Sequence, residues 1–127
     1  MKHFLLLLLT LIPVFICKTV WAEKHILAGR QLYQTNCSPC HGALGKGDGS
    51  GARLLPIKPA DHTNGATMNS RSDKEIADII SKGGSALGKA PYMPAWGGVL
   101  SEQHIQDLVS YIRSLAVPPY KAPGKAD

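Results

Sequence analysis

The sequence contains little cysteine, few aromatic residues and no segment that is typical of a β-strand. Of its 127 residues only three are cysteine and 6% are aromatic, so a dense disulfide framework cannot support the fold. The formal net charge of +5 includes no run of lysine or arginine, and nucleic acid is therefore not an expected partner. No stretch alternates apolar and polar residues as a half-buried strand does. These absences leave a small all-α domain as the expected fold class.

Residues 1–22 have the three-part layout of a secretory signal. A basic start that contains Lys2 precedes an apolar run from Phe4 to Ile16, and small or tolerated residues lead to Ala22. We therefore predict cleavage after Ala22 and a periplasmic location. The alternative is an uncleaved anchor, but the apolar run is shorter than the ~20 residues of a membrane-spanning helix, and Pro13 interrupts it. Contact with a membrane is expected only if the signal is retained.

Three segments of the remaining chain have helical periodicity. The first is residues 24–36, the second begins with a capping box at Ser72, and the third begins at Ser101. The third segment has the clearest apolar face, which is made by Ile105, Leu108, Val109, Ile112, Leu115 and Ala116. We predict one domain over residues 23–117, followed by a flexible tail over residues 118–127.

Two long segments that are rich in glycine and proline, residues 42–69 and 84–100, separate the predicted helices. A loop as long as the first is unusual in a small domain unless it is functional or wraps around something. The three helices also bring few large apolar residues to the centre of the domain. This deficit suggests that a bulky apolar ligand completes the core.

The segment "NCSPCHG" places Cys37, Cys40 and His41 at the end of the first predicted helix, and three chemistries use such a cysteine pair. A structural zinc site needs a fourth ligand, and none of the other available histidines stands at a zinc-ribbon spacing: His25, His62 and His104. A thioredoxin-like dithiol requires a preceding strand and a βαβ pattern, and the sequence has neither. The third chemistry is covalent attachment of haem.

Haem attachment fits the pattern best, with thioethers expected at Cys37 and Cys40. Two thiols one helical turn apart can each add to a vinyl group of one porphyrin, and the imidazole of His41 then reaches the iron from the same side. The opposite ligand must come from elsewhere, and outside the export signal the sequence has two methionines. Met93 lies between prolines that restrict the backbone, whereas Met68 lies in a polar stretch. We predict that Met93 is the second axial ligand and that Met68 is a partly buried loop residue.

With these residues in place, the chain resembles a class I, mono-haem c-type cytochrome over nearly all of residues 24–116. The resemblance lies in the segments "AGRQLYQTNCSPCHG", "GALGKGDGSGARL", "PIKPADHT" and "MPAWGGVLSEQHIQDLVSYIRSL". It implies the small cytochrome c fold, in which three main helices and long loops wrap around one covalently bound haem c. The implied thioethers and axial ligands are the four residues given above. The resemblance also implies that Gly29 lets the first and last helices cross near Tyr111, and that His41 hydrogen-bonds the carbonyl of Pro56.

Other residues near the predicted site have plainer expectations. We expect His25, His62 and His104 to be exposed, although His62 is also a candidate for a hydrogen bond to a haem propionate. Trp96 is expected either to form a wall of the haem pocket or to pack beneath the last helix. Four lysines flank the presumed haem loops, where they either steer an acidic redox partner or only keep the protein soluble: Lys46, Lys58, Lys82 and Lys89.

The function predicted from these observations is that of a one-electron carrier and not of an enzyme. It is expected to work as a monomer between a periplasmic redox donor and a periplasmic redox acceptor. A first alternative is an electron-transfer subunit of a larger periplasmic oxidoreductase. A second is a ligand-binding haem protein with an open iron site, which requires that Met93 does not bind the iron.

Overall fold

The computed structural model describes residues 20–121. The predicted export signal lies outside the described residues, except for positions 20–22, which are helical. The last part of the predicted tail, residues 122–127, also lies outside them. Within residues 20–121, no helix has the length and the apolar character that crossing a bilayer requires.

Helices are the regular structure of the described chain, and between residues 20 and 121 only one isolated bridge, from Asn64 to Val117, has strand-like pairing. The α-helices are α1 (20–36), α2 (Ser38–His41), α3 (Gly65–Asn69), α4 (Asp73–Lys82) and α5 (Glu102–Leu115). Two 3₁₀ turns cover Ser50–Leu54 and Ser85–Leu87. The expected all-α fold is therefore confirmed, and its three main helices are α1, α4 and α5.

The two helix starts that the sequence predicts are capped by serine side chains. The hydroxyl of Ser72 accepts a hydrogen bond from the backbone N–H of Glu75 at 3.1 Å. The hydroxyl of Ser101 accepts one from the N–H of His104 at 3.2 Å. Each bond satisfies a donor that the first helical turn leaves without a partner in the helix.

Helix α3 lies inside a segment that was predicted to be a loop, so that part of the prediction is wrong. The side chain of Asn64 caps α3 by accepting a hydrogen bond from the N–H of Thr67 at 3.1 Å. Met68, expected to be partly buried in a loop, is 1% exposed within this helix. The short sequence GATMN has too few apolar residues to produce a recognisable helical period.

The core forms where α1 crosses α5, and buried side chains of α3 and α4 belong to the same apolar cluster. Gly29 lies against the backbone of Asp107 and the Cβ of Tyr111, as the resemblance implies. The largest fully buried side chains are Tyr33, Met68 and Leu108. The apolar face predicted for the last helix is confirmed, since its members at 105, 108, 109, 112 and 116 are all buried and Leu115 is partly buried.

The chain that leaves α5 lies alongside α3. The N–H of Gly65 donates to the carbonyl of Val117 at 3.0 Å, and the N–H of Val117 donates to the carbonyl of Thr63 at 3.0 Å. The side-chain amide of Asn69 then donates to the carbonyl of Pro118 at 3.2 Å. These contacts hold residues 117 and 118 against the helix that contains Met68.

Two of the three histidines expected to be exposed are not. His104 is exposed, as predicted. His25 is half-buried, because its Nδ1 lies 2.7 Å from Oδ1 of Asp107, a buried carboxylate of α5 that also accepts a bond from Gln103 at 2.9 Å. Pairing between residues 82 positions apart cannot be read from local sequence. His62 is buried too and belongs to the candidate site.

Candidate cofactor site

One cavity of about 340 Å³ brings together the four residues singled out in the sequence, Cys37, Cys40, His41 and Met93. This volume falls in the range of roughly 300–1,000 Å³ that is usual for cofactor and small-molecule sites. Most of the remaining lining is apolar and comes from α4, α5 and the two long loops: Leu55, Ile57, Ile76, Ile79, Ile80, Ala90, Pro94, Trp96 and Ile112. The cavity thus lies where the sequence suggested that the core is incomplete.

The two cysteines and His41 are held on a single turn of helix that directly follows α1. The N–H of Cys37 donates to the carbonyl of Tyr33 at 2.9 Å, and the N–H of His41 donates to the carbonyl of Cys37 at 2.8 Å. Gly42 then ends α2 with φ at +82°, a backbone conformation that residues with a Cβ rarely adopt. The turn therefore presents three side chains to one cavity and directs the following loop away from them.

Burial gives the thiol of Cys37 a high proton affinity. Both cysteines are free, and Cys37 is 8% exposed. Burial has the larger effect and the neighbouring Cys40 the smaller, and together they raise the pKa of Cys37 to about 11. Thiol–disulfide exchange requires a thiolate, and this thiol keeps its proton at neutral pH. In residues 20–121 there is also no group of three or more His, Cys, Asp or Glu side chains arranged to hold a metal ion.

His41 is oriented by a backbone carbonyl. Its Nδ1 lies 3.0 Å from the carbonyl oxygen of Ala60, and because that oxygen can only accept, Nδ1 carries the proton. Burial lowers the pKa of His41, although the bond to Ala60 opposes the shift. The ring is therefore neutral at pH 7, and its Nε2 keeps a free lone pair. The partner predicted from the resemblance, Pro56, is wrong.

The path of the first long loop explains why His41 bonds to the carbonyl of Ala60 and not to that of Pro56. The N–H of Gly47 donates to the carbonyl of His41 at 2.8 Å, and the N–H of His62 donates to the carbonyl of Gly45 at 2.7 Å. The loop therefore returns to the His41 turn at residues 60–62, several positions after Pro56. Nothing in the local sequence fixes the point at which a loop of this length turns back.

Both methionines outside the export signal line the cavity, and they are supported differently. Met93 lies in the second long loop, where its carbonyl accepts a hydrogen bond from the N–H of Gly84 at 2.9 Å. Met68 belongs to α3, and its carbonyl accepts a bond from the buried guanidinium of Arg113 at 2.6 Å. The side chain of Met68 is almost wholly covered by the core, whereas that of Met93 is partly buried.

His62 is the residue for which the sequence-based expectation fails most clearly. It is 8% exposed, and its ring stacks on that of His41 with centroids 4.3 Å apart and planes 16° from parallel. Its Nδ1 is hydrogen-bonded to the hydroxyl of Tyr33 at 3.0 Å. Burial has the largest effect on the pKa of His62, and repulsion by Arg71 and by a protonated His41 adds to it; together they lower this pKa to about 3, so the ring is neutral at pH 7.

The charged residues that line the cavity are all cationic: Lys58, Arg71 and Lys89. Two of the four flanking lysines considered in the sequence, Lys58 and Lys89, are therefore at the cavity, while Lys46 and Lys82 do not line it. Trp96 forms part of the cavity wall and also packs against the core cluster.

Comparisons with known proteins agree on one family. Residues 25–112 match the family model described as cytochrome C oxidase, cbb3-type, subunit III. The chain is 33% identical over 92 residues to cbb3-type cytochrome c oxidase subunit FixP of Azorhizobium caulinodans, covering 69% of this chain and 28% of that protein. It is 28% identical over 103 residues to the gluconate 2-dehydrogenase cytochrome c subunit of Pantoea cypripedii, covering 77% of this chain and 22% of that protein.

Two further likenesses complete the comparison. The chain is 28% identical over 93 residues to cytochrome c6 of Euglena viridis, covering 73% of this chain and 95% of that protein. Among solved structures, a chain of the reducing HAO-like protein complex of Kuenenia stuttgartiensis aligns with a TM-score of 0.64 and 31% identity, covering 74% of this chain and 44% of that one. This chain therefore spans less than a third of the first two relatives and nearly all of the cytochrome c6.

Proposed function

Since this chain belongs to the cytochrome c family, whose members bind haem c covalently and transfer electrons, we propose that it is a one-electron carrier between periplasmic redox partners. In this proposal His41 and Met93 would bind the haem iron, and Cys37 and Cys40 would form the thioethers. The observation that carries the proposal is the presence of all four side chains in the lining of one largely apolar cavity.

The residues around the cavity suit a haem group. The apolar walls match a porphyrin face, and the two thiols and His41 share one helical turn. His41 is neutral with Nδ1 bonded to Ala60, so Nε2 is free to act as a ligand. Lys58 and Arg71 bring positive charge that favours two propionates, and Lys89, which lies 3.6 Å from the carboxylate of Glu75, adds to it.

The chemistry that the bound haem supplies is the gain and loss of one electron at its iron. The chain's own residues then have three tasks. The apolar lining excludes water, which favours a fixed ligand set, and the Ala60 carbonyl keeps the His41 ring in one tautomer. A thioether ligand from Met93 favours the reduced state and so raises the reduction potential.

The test separates the two methionines. A pyridine haemochrome spectrum should identify haem bound through two thioethers in the wild type. The ferric iron–sulfur charge-transfer band should be lost in Met93→Ala and retained in Met68→Ala, the matched control in the same cavity. Loss of the band only in Met68→Ala would transfer the ligand role to Met68, and the absence of thioether-bound haem would refute the proposal.

An open iron site is the alternative that requires a free sixth position. We expect ferrous wild type to resist carbon monoxide at neutral pH, because Met93 occupies that position, and Met93→Ala to bind it readily. Rapid binding by the wild type would contradict six-coordinate iron and would favour the ligand-binding alternative.

A second candidate function is supported by two of the relatives, which are by name a subunit of an oxidase and a subunit of a dehydrogenase. In that case the chain would deliver electrons within a larger complex. Purification from its native source in moderate salt distinguishes the two functions. Elution as a free monomer supports the carrier, and co-elution with a catalytic subunit supports the complex.

The periplasmic location belongs to the proposal as well, since it rests on the sequence of residues 1–22. Sequencing the N-terminus of the protein recovered from a periplasmic fraction should give Glu23 as the first residue. A chain that stays with the membrane and begins at Met1 would show that the signal is retained.

A further inference from the structure

The stacked pair formed by His41 and His62 suggests a role for a residue outside the proposed ligand set. We propose that His62 is a positioning residue, whose ring face fixes the orientation of the His41 imidazole and stabilises the oxidised state of the site. This inference rests on the proposed function, in which His41 binds the haem iron.

The geometry places His62 as a fixed second support for His41. The rings are 16° from parallel at a centroid distance of 4.3 Å, which is close enough for direct contact over their faces. Ala60 fixes the His41 ring at its edge through the bond to Nδ1, and His62 covers its face from two residues further along the same loop. A ring held at both edge and face has little freedom to rotate.

His62 is itself held in place by a buried hydrogen bond. Its Nδ1 meets the hydroxyl of Tyr33 at 3.0 Å, and Tyr33 is 0% exposed. Tyr33 also packs edge-on against Tyr111 of α5, with centroids 5.1 Å apart. The support for His41 therefore continues into the crossing of α1 and α5.

The stacked face also has an electrostatic consequence. When His41 is bound to ferric iron, its ring carries more positive charge than when it is bound to ferrous iron. The face of a neutral aromatic ring is electron-rich and attracts positive charge. His62 should therefore favour the ferric state, and a side chain without an aromatic face at this position should make reduction easier.

Three variants of the holoprotein test this inference. His62→Leu removes the aromatic face. His62→Phe keeps the face and removes the polar atoms. Tyr33→Phe keeps both rings and removes the hydroxyl bond. We expect His62→Leu to increase the equilibrium constant for reduction about threefold, which corresponds to an upward shift of the potential of roughly 30 mV for one electron. His62→Phe and Tyr33→Phe should stay closer to the wild type.

A second measurement reports ring orientation independently of the potential. The g-value anisotropy of the low-spin ferric electron paramagnetic resonance spectrum depends on how the axial imidazole lies over the haem plane. We expect this spectrum to change in His62→Leu and to be preserved in His62→Phe. A circular dichroism spectrum of each holoprotein shows whether the variant has kept its fold.

The outcomes distinguish failure of the inference from failure of the proposed function. If the wild type has the spectrum of histidine–methionine ligation but His62→Leu shifts neither the potential nor the g values, His62 has no positioning role. If His62→Phe shifts the potential as far as His62→Leu does, the ring face is not the cause and the inference is wrong. If the wild type lacks that spectrum, the proposed function itself fails.

Discussion

Gly29 of α1 lies directly against the backbone carbonyl of Asp107 in α5, and this contact sets how closely the two helices approach. A Cβ at position 29 would overlap that carbonyl oxygen and would also lie 2.9 Å from the Cβ of Tyr111. One turn further along each helix, Tyr33 meets Tyr111 edge-on. Because α1 leads directly into the turn with Cys37, the position of that turn depends on the crossing.

We therefore expect Gly29→Ala to destabilise the protein by about 1–3 kcal/mol, since the helices must separate or shift to admit the methyl group. Gly98→Ala is the matched control, because a Cβ at that position meets no atom within 4 Å. Urea unfolding of each holoprotein, monitored by far-UV circular dichroism, gives the difference in unfolding free energy from the wild type. Equal stabilities of the two variants would show that the crossing tolerates a larger residue.

The parts of the fold that could be predicted from the sequence are those specified locally. Helix α5 has an unbroken apolar period. A serine caps the start of α4 and another caps the start of α5, and each lies only three residues before the backbone N–H that it accepts from. The cysteine–histidine turn is likewise local, and the cavity brings it together with Met93.

The parts that were missed depend on contacts distant in sequence. His62 is buried because Tyr33, 29 positions earlier, supplies its hydrogen-bond partner. His25 is half-buried because of a carboxylate 82 positions later. The bond from His41 to Ala60 depends on how a glycine-rich loop folds back, and several backbone paths are compatible with such a loop. No periodicity in the sequence carries this information.

Arg113 links α5 to the segment that contains Met68, and its replacement should be costly. Its guanidinium donates to the carbonyls of Met68 at 2.6 Å and Arg71 at 2.5 Å, and to the carboxylate of Asp73 at 2.7 Å. Arg113→Met should lose about 3 kcal/mol of unfolding free energy, because the carbonyls of Met68 and Arg71 and the carboxylate of Asp73 all lose their hydrogen bonds to the guanidinium. Arg113→Lys should lose less unfolding free energy, about 1–2 kcal/mol, because an ammonium keeps the charge but lacks the planar set of donors of a guanidinium.

The control for this prediction is Arg53→Met, because Arg53 is exposed in the first 3₁₀ turn. It should change stability by less than about 0.5 kcal/mol, as surface substitutions usually do. Urea midpoints measured on the three variants rank the effects. If Arg113→Lys were as unstable as Arg113→Met, the positive charge at this position would contribute nothing to the stability of the fold.

The turn at Asp61 should give stability a dependence on pH in the acid range. Oδ1 of Asp61 accepts bonds from the hydroxyl of Thr63 at 2.6 Å and from its N–H at 2.8 Å. Both bonds lower the pKa of Asp61, and the bond from the hydroxyl has the larger effect. A lowered folded-state pKa contributes stability that is fully present above the unfolded value of about 3.9 and is lost as pH falls through the folded value.

The measurement compares Asp61→Asn with the wild type from pH 7 down to pH 2.5. The variant keeps an oxygen acceptor but cannot ionise, so the wild type should be more stable at neutral pH. The difference should shrink below pH 4 as the carboxylate of the wild type takes up its proton. A difference that stays constant over this range would assign the effect to packing.

The hydrogen bond between Tyr33 and His62 should show strong coupling in a double-mutant cycle. Tyr33→Phe leaves buried Nδ1 of His62 without a partner, and His62→Phe leaves the buried hydroxyl without one. Each single variant should therefore lose about 1–3 kcal/mol of unfolding free energy. The double variant removes both polar groups together, so its loss should be at least about 1 kcal/mol smaller than the sum of the two single losses. Additive losses, measured by urea unfolding of the holoproteins, would mean that the two side chains stabilise the fold independently.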